Sequence, residues 1–238
     1  MTNQQIHEIL KDILRIKKDL IGIKVWKEEP KGIRRYEGKA FPGMCAQIGE
    51  VLKTGEAFLT DLKNQLCTGG VVATGVARQP SAKAKIKLAE MHLEMTKDYQ
   101  NLNTAICYQD EMDRMIPPVK EKNAVVQLGL FKEIKDPDLV LVFCTPGAAD
   151  IINRTYSYVL GEPIQGFGGN GGCLFAIQYP YVTKKPSFTY SDISWRKFVG
   201  LTEEELTMTF PLQGLPGFIE SLPSVAENYK KFGEGMQL

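Results

Sequence analysis

The chain has 238 residues, 43% of them hydrophobic and 24% charged, and a formal net charge of +1 at pH 7. That length suits one large domain or two closely packed halves, and the near-neutral charge removes the electrostatic case for nucleic acid or an acidic membrane surface as partner. No apolar run reaches the roughly 18 residues of a membrane-spanning helix, and Met1-Thr2-Asn3-Gln4-Gln5 lacks the apolar core of a signal peptide, so a cytoplasmic protein is expected.

Thr2 is placed to cap a helix in which Ile6, Ile9, Leu10, Ile13, Leu14 and Ile16 recur at helical period, with Lys17 and Lys18 at its negative pole. Residues 20–26 read as a strand, 27–43 as a charged loop rich in Gly and Pro, and 44–54 as a helix stopped by Gly55. Thr60-Asp61 starts a short helix toward Leu66, and the small, β-branched run 71–76 predicts a buried strand. Ser81 opens a long polar helix striped by Ile86, Met91, Met95, Leu102 and Ile106, ended by Pro117-Pro118. Residues 124–131 and 139–144 read as strands, and 147–160 as a second glycine-stopped helix. Two further strands are expected at 173–179 and 206–210, and a last helix at 216–229 is interrupted near Pro223. This alternation predicts an α/β chain, with mixed α+β as the variant, forming a single compact domain over 1–238.

Two stretches share one order of residues. Pro42-Gly43-Met44-Cys45 precedes a helix, then Gly55-Glu56, Asn64, Cys67 and Pro80; Pro146-Gly147-Ala148-Ala149 precedes a helix, then Gly161-Glu162, Asn170, Cys173 and Pro186. The constant offset predicts two interlocked strand–helix–strand half-repeats, at about 20–80 and 138–186. Packed about a pseudo-two-fold, they place Cys67 and Cys173 at one shared site. The alternative is two ordinary helix-to-strand units that coincide.

Five cysteines is an odd number, and without an export signal the thiols are expected to stay reduced. The two histidines, His7 and His92, fall among charged residues on predicted helices and are expected to be solvated, which weakens Ser-His-Asp and Cys-His schemes. Neither a Gly-x-Ser-x-Gly elbow nor a phosphate-binding loop ending Gly-Lys-Ser/Thr is present. The glycine run 166–172 follows a helix and leads into an expected strand, the reverse of a dinucleotide fingerprint, so nicotinamide binding is not expected. Its glycines still let backbone N–H groups approach an anion or a cluster sulfur. Gly69, Gly70, Gly171, Gly172 and Arg196 are therefore the candidate cofactor-binding residues.

No Cys-x-x-Cys pair occurs, so position rather than spacing nominates ligands. Cys45 begins a helix, where the dipole lowers a thiol pKa. Cys67 and Cys173 sit beside glycines at expected strand starts, and Cys144 ends a strand; these four are the candidate metal ligands. Cys107, in mid-helix, is expected in the core. Glu56 and Glu162, matched across the repeat, either flank a pocket or, as favoured, accept backbone N–H groups in their turns. Arg196, beside Trp195, either grips an anion bidentately or forms a structural ion pair or indole stack.

The pattern Pro-Gly-x-Cys, helix, Gly-Glu, Cys-x-Gly-Gly, followed by Pro137-Asp138-Leu139-Val140-Leu141-Val142-Phe143, Pro146, Cys173, Arg196, an acidic stretch and Phe210-Pro211, resembles the prokaryotic domain of unknown function 169 family over about residues 15–215. The resemblance implies family cysteines at Cys45, Cys67 and Cys173, and a further Gly-Cys shortly before the arginine. Here that segment reads Tyr190-Ser191-Asp192-Ile193-Ser194-Trp195-Arg196, so a four-cysteine site is incomplete or Cys144 substitutes. The family carries no settled activity. Three readings follow. The first is a redox or accessory protein holding an iron–sulfur or other metal centre, since thiolates suit iron and zinc, with a redox partner. The second is a metal-free module binding an anionic small molecule between the halves. The third is a thiol-nucleophile enzyme using Cys67 or Cys173, disfavoured by the lack of a neighbouring histidine.

Overall fold

The structure, a computed structural model, describes residues 1–95 and 97–235, without the side chains of 92, 95 and 233–235. The expected exposure of His92 and the place of Met95 in its stripe lie outside the described residues.

Helix α1 (Asn3–Leu14) starts as its sequence dictates. The Thr2 hydroxyl accepts the Gln5 N–H and Gln5 Oε1 accepts the Thr2 N–H at 2.8 Å, a reciprocal capping box. It ends at Arg15, in the left-handed region at φ 54°, so Lys17 and Lys18 lie beyond its last turn. Strand β1 (Ile21–Trp26) leads through a long loop to α2 (Met44–Thr54), which Gly55 stops with φ 74° and an N–H donated to the Val51 carbonyl. There follow β2 (Phe58–Thr60), α3 (Gly69–Ala73), α4 (Ala82–Met95), α5 (Leu102–Met115), β3 (Val125–Leu130), β4 (Leu139–Cys144), α6 (Pro146–Leu160) and β5 (Gln165–Phe167). A π-helix, Leu174–Gln178, runs directly into α7 (Tyr179–Thr183), followed by β6 (Ser187–Thr189), α8 (Ile193–Val199), β7 (Leu206–Pro211) and α9 (Leu215–Gly235).

Among the described residues, all seven strands join one mixed sheet, in the order β2-β3-β1-β4-β7-β6-β5, antiparallel throughout except for β5 beside β6. Side chains alternate between its faces. On β4, Leu139, Leu141 and Phe143 enter a core closed by α2, α3, the π-helix and α8. Val140, Val142 and Cys144 enter a second core closed by α1, α6 and α9. The expected α/β class is therefore seen, as a mixed sheet with helices on both faces.

The half-repeat arrangement is not seen. A two-fold exchanging the antiparallel neighbours β1 and β4 would stand normal to the sheet and keep each helix on its own face, yet α2 and α6 lie on opposite faces. The strands expected at 71–76 and 173–179 are instead α3 and the π-helix with α7. Both are short and apolar all round, with Val71, Ala73, Phe175, Ala176 and Ile177 fully buried, and such runs show no periodicity that separates helix from strand. The long helix expected from Ser81 is two helices, because Asn101 Oδ1 caps a fresh one by accepting the Thr104 N–H at 3.0 Å. No helix among the described residues is long and apolar enough to cross a membrane.

His7, expected to be solvated, is buried, with Nε2 3.3 Å from Asp19 Oδ1 and Nδ1 without a partner among the described residues. The acidic and basic neighbours that suggested exposure flank it on α1, while its own side faces Leu10 and the core. Burial holds its pKa below 6.5, and Lys11 and Lys132 push the same way against Asp19. The unfolded chain therefore binds a proton that the folded chain refuses. Unfolding free energy is expected to be full above pH 6.5, to fall as pH drops below it, and to level off below the folded pKa. His7→Gln should flatten that slope between pH 7.5 and 5 in urea titrations; an unchanged slope would assign the pH dependence elsewhere.

Candidate thiol site

Three of the four nominated cysteines meet at one corner on the α2–α8 face of the sheet. Cys45 is the second residue of α2, Cys67 ends the loop before α3, and Cys173 directly precedes the π-helix. The loop is held there by its backbone: the Cys67 N–H donates to the Pro42 carbonyl and the Leu66 N–H to Phe41, both at 2.8 Å. That bridge sets Cys67 beside Gly43 and Cys45. A Cβ built on Gly43 would stand 3.7 Å from Cys45 Sγ and 3.9 Å from Cys67 Sγ. One built on Gly69 would stand 3.6 Å from Cys67 Sγ and 3.8 Å from Cys173 Sγ. Two of the three sulfur pairs, Cys45 with Cys67 and Cys67 with Cys173, thus each lie within 4 Å of a single point.

Cys144 does not join them. It is the sixth residue of β4 and has the parity of Val140 and Val142, so it faces the α1–α6–α9 core on the other side of the sheet. Burial, with Glu205 adding repulsion, pushes its thiol up to about 12. Cys107, expected in the core, is exposed, because α5 turns Ala105 and Met112 inward and Cys107 away. All five thiols are free.

The expectation that the dipole of α2 lowers the Cys45 pKa is overturned. Burial pushes this thiol up to about 12, with Asp192 contributing in the same direction. A helix N-terminus offers about 0.3–1 kcal/mol, whereas an unpaired buried charge costs several. Cys173 is pushed well above the ordinary thiol range, first by burial and then by the neighbouring Cys45, Cys67 and Asp192.

Asp192, which the sequence reasoning passed over, stands at the same corner. It caps α8: one oxygen accepts the Trp195 N–H and the other the Gly172 N–H, each at 2.7 Å. An Asp three residues ahead of a buried aromatic is the sequence signal that would have found it. Trp195 is fully buried and donates its indole N–H to Thr207 Oγ1 at 3.0 Å, fixing α8 to β7. Arg196 does not present an anion-gripping fork. Its guanidinium donates to the carbonyls of Tyr190 and Glu205, both at 2.9 Å, and of Thr202, so it is a structural clasp that ties down the two ends of the segment carrying Asp192.

The glycines nominated for a cofactor divide. Gly70 is demanded by packing, since a Cβ there would overlap Met44 on α2. Gly171 needs its φ of +145°, and a Cβ on Gly172 would stand 2.9 Å from Asp192 Oδ2 and 3.1 Å from Trp195. Gly69 answers to neither demand. The glycine run begins within β5 and ends two residues before the π-helix, contrary to the expected helix-then-strand setting. The Gly172 N–H of this run is taken by the Asp192 carboxylate. Tyr108 of α5 covers the run, donating to the Asn170 carbonyl at 2.8 Å. Glu56 and Glu162 neither flank this corner nor cap their turns; they pair at the surface with Arg34 and Lys185.

Among the described residues, no three or more Cys, His, Asp and Glu side chains are drawn together as ligands of a single metal ion. The fold and corner define a class: an α/β protein with a mixed sheet, helices on both faces, and three converging thiols on one of them. The chain belongs to the uncharacterised ArCR family, domain of unknown function 169, whose model matches residues 9–221. It is similar to the uncharacterized protein MJ0308 of Methanocaldococcus jannaschii, 24% identical over 219 residues that cover 90% of each chain. No solved structure matches it.

Proposed function

We propose that this protein holds a thiolate-bound centre of the iron–sulfur type on Cys45, Cys67 and Cys173, in a redox or accessory role. The observation that carries the reading is the space among those sulfurs. Gly43 has φ −179°, extended backbone open to any residue, and Gly69 has no positive φ. The three atoms nearest a Cβ on Gly69 would all belong to cysteine side chains, at ordinary contact distance. A Cβ on Gly43 would crowd Cys67 Cβ at 3.2 Å, so packing already explains that glycine; what Gly69 leaves open is room between Cys67 and Cys173. A single zinc or iron ion holds its sulfurs at bonds of about 2.3 Å, closer together than these thiols are drawn. A cluster sets its thiolates further apart, because each binds a different iron. Loading releases the thiol protons that burial otherwise retains, and the exposure of Cys67 gives electrons a short route to a partner.

Purification without oxygen, followed by a visible spectrum and assays for iron, zinc and acid-labile sulfide, tests this. Broad sulfur-to-iron absorption with iron and sulfide in similar amounts is expected. A colourless, metal-free protein that stays so after incubation with ferrous iron and sulfide sinks the proposal.

A further inference from the structure

Thiols also meet oxidants, and this corner sorts its thiols by access. Cys67 is exposed, Cys173 is half-buried beside it, and Cys45 is buried. Cys67 and Cys173 each place a sulfur within 4 Å of the point where a Gly69 Cβ would stand, and so within twice that distance of each other. One change of χ1 rotamer moves a cysteine sulfur by about 3 Å, so rotation from both sides spans that gap. Gly69 leaves the path clear, since the atoms nearest its absent Cβ are those of these two cysteines. Cys45 is the poorer partner: it is fixed in the first turn of α2, with its sulfur against the Ala46 N–H. An accessible thiol with a second thiol poised beside it is the arrangement of oxidant-responsive cysteines.

We propose that Cys67 is a site of reversible oxidation and that Cys173 resolves it into a disulfide in the metal-free protein. The proposal goes beyond the cluster reading and does not rest on it. With hydrogen peroxide as oxidant the steps balance. The Cys67 thiolate attacks one peroxide oxygen; the S–O bond forms, the O–O bond breaks, and hydroxide leaves, giving a sulfenic acid. The Cys173 sulfur then attacks the Cys67 sulfur; the S–S bond forms, the S–O bond breaks, and water leaves with the Cys173 proton. Two electrons pass from the two sulfurs to peroxide, which ends as two waters. The bond spares Cys67 the irreversible sulfinic and sulfonic acids. It also withdraws two of the three thiols from any metal, so the corner binds metal only when reduced.

The test uses the full chain, reduced, stripped of metal by a chelator and given stoichiometric hydrogen peroxide. Every protein carries Cys107→Ser, which removes the other exposed thiol. The parent of the series is expected to lose two free thiols and the mass of two hydrogens. Peptide mapping without reductant should join Cys67 to Cys173, and dithiothreitol should restore both thiols. Cys67→Ser should form a disulfide at least about tenfold more slowly, because its remaining thiols are less accessible to the oxidant. Cys173→Ser should leave Cys67 as a sulfenic acid that dimedone traps, a signature that a packing role for Cys173 does not produce. Circular dichroism confirms the fold of each variant. A Cys67 that passes to sulfinic acid without bonding, or that bonds to Cys45 in the parent, overturns the proposal whether or not the same protein loads iron and sulfide. A chain that forms the Cys67–Cys173 bond and never takes up a cluster keeps this proposal and loses the cluster reading alone.

Discussion

Cys67→Ser is expected to reduce bound iron by at least about tenfold while leaving thermal stability within about 0.5 kcal/mol of wild type, the ordinary range for an exposed substitution. Cys67 is the exposed member of the corner, so its loss opens no cavity. Cys45→Ser and Cys173→Ser should lose iron to the same degree. Cys144→Ser should keep it, and should instead cost stability, because a hydroxyl without an assigned partner replaces a thiol in the α1–α6–α9 core. Gly69→Ala belongs to the same experiment. Its backbone accepts alanine, and its Cβ stands between Cys67 and Cys173, so the variant should fold and fail to load. Iron and sulfide analysis of the five proteins beside the wild type decides. Retention in Cys67→Ser, or loss in Cys144→Ser equal to the others, would place the centre elsewhere.

Gly49→Ala is expected to lower stability although alanine is the better helix former. In an exposed helix interior the exchange gains about 1 kcal/mol. Here a Cβ would overlap the Phe198 carbonyl oxygen, so the α2 backbone rests directly on the backbone of α8. A flexible side-chain tip can swing aside, but a carbonyl fixed in a helix cannot, and the helices must separate. Overpacking of this kind costs about 1–3 kcal/mol, occasionally more. A net loss of about 1 kcal/mol, the mid-range overpacking cost less the propensity gain, corresponds to a fall in melting temperature of about 2–4 °C for a chain of this size. The separation also shifts Cys45 on α2, so cluster loading should fall with it. Gly147→Ala is the matched control. Nothing lies within 4 Å of a Cβ there, and the variant should melt at or slightly above the wild type in calorimetry. Equal melting temperatures for the two variants would remove the argument for backbone contact between α2 and α8.

Much of the fold was legible because local chemistry and packing agree. The Thr2–Gln5 capping box and the stripe from Ile6 to Leu14 define α1, and Gly55 and Gly161 stop α2 and α6 in the left-handed conformation that glycine adopts without strain. The apolar runs that became β3 and β4 were long enough to read directly, and the motifs around Cys45, Cys67, Cys173 and Arg196 sufficed for the family. The misread segments were those where composition is the same for two structures. Val71 and Ile177 are β-branched and enclosed on every side, and enclosure hides whether the period is that of a helix or a strand. Asp192 went unread because a single capping aspartate looks the same in any chain until the groups around its carboxylate are known.

By itself the sequence determined the capped helices, the two central strands, the family, and the short list of residue types able to hold a metal. Only the tertiary structure decided which of them meet. Side chains on a strand alternate by one residue, so Cys144 falls on the far face of the sheet from the other three thiols although Phe143, its neighbour, packs on their side. Arg196 is consumed by three backbone carbonyls that lie up to nine positions away in the chain. Cys45, Cys67, Cys173 and Asp192 share a corner because α2 rests on α8 through Gly49 and because Cys173, just ahead of the π-helix, stands beside Gly69 at the start of α3. Proximity of that kind is fixed by how elements stack, and residue order along the chain does not record it.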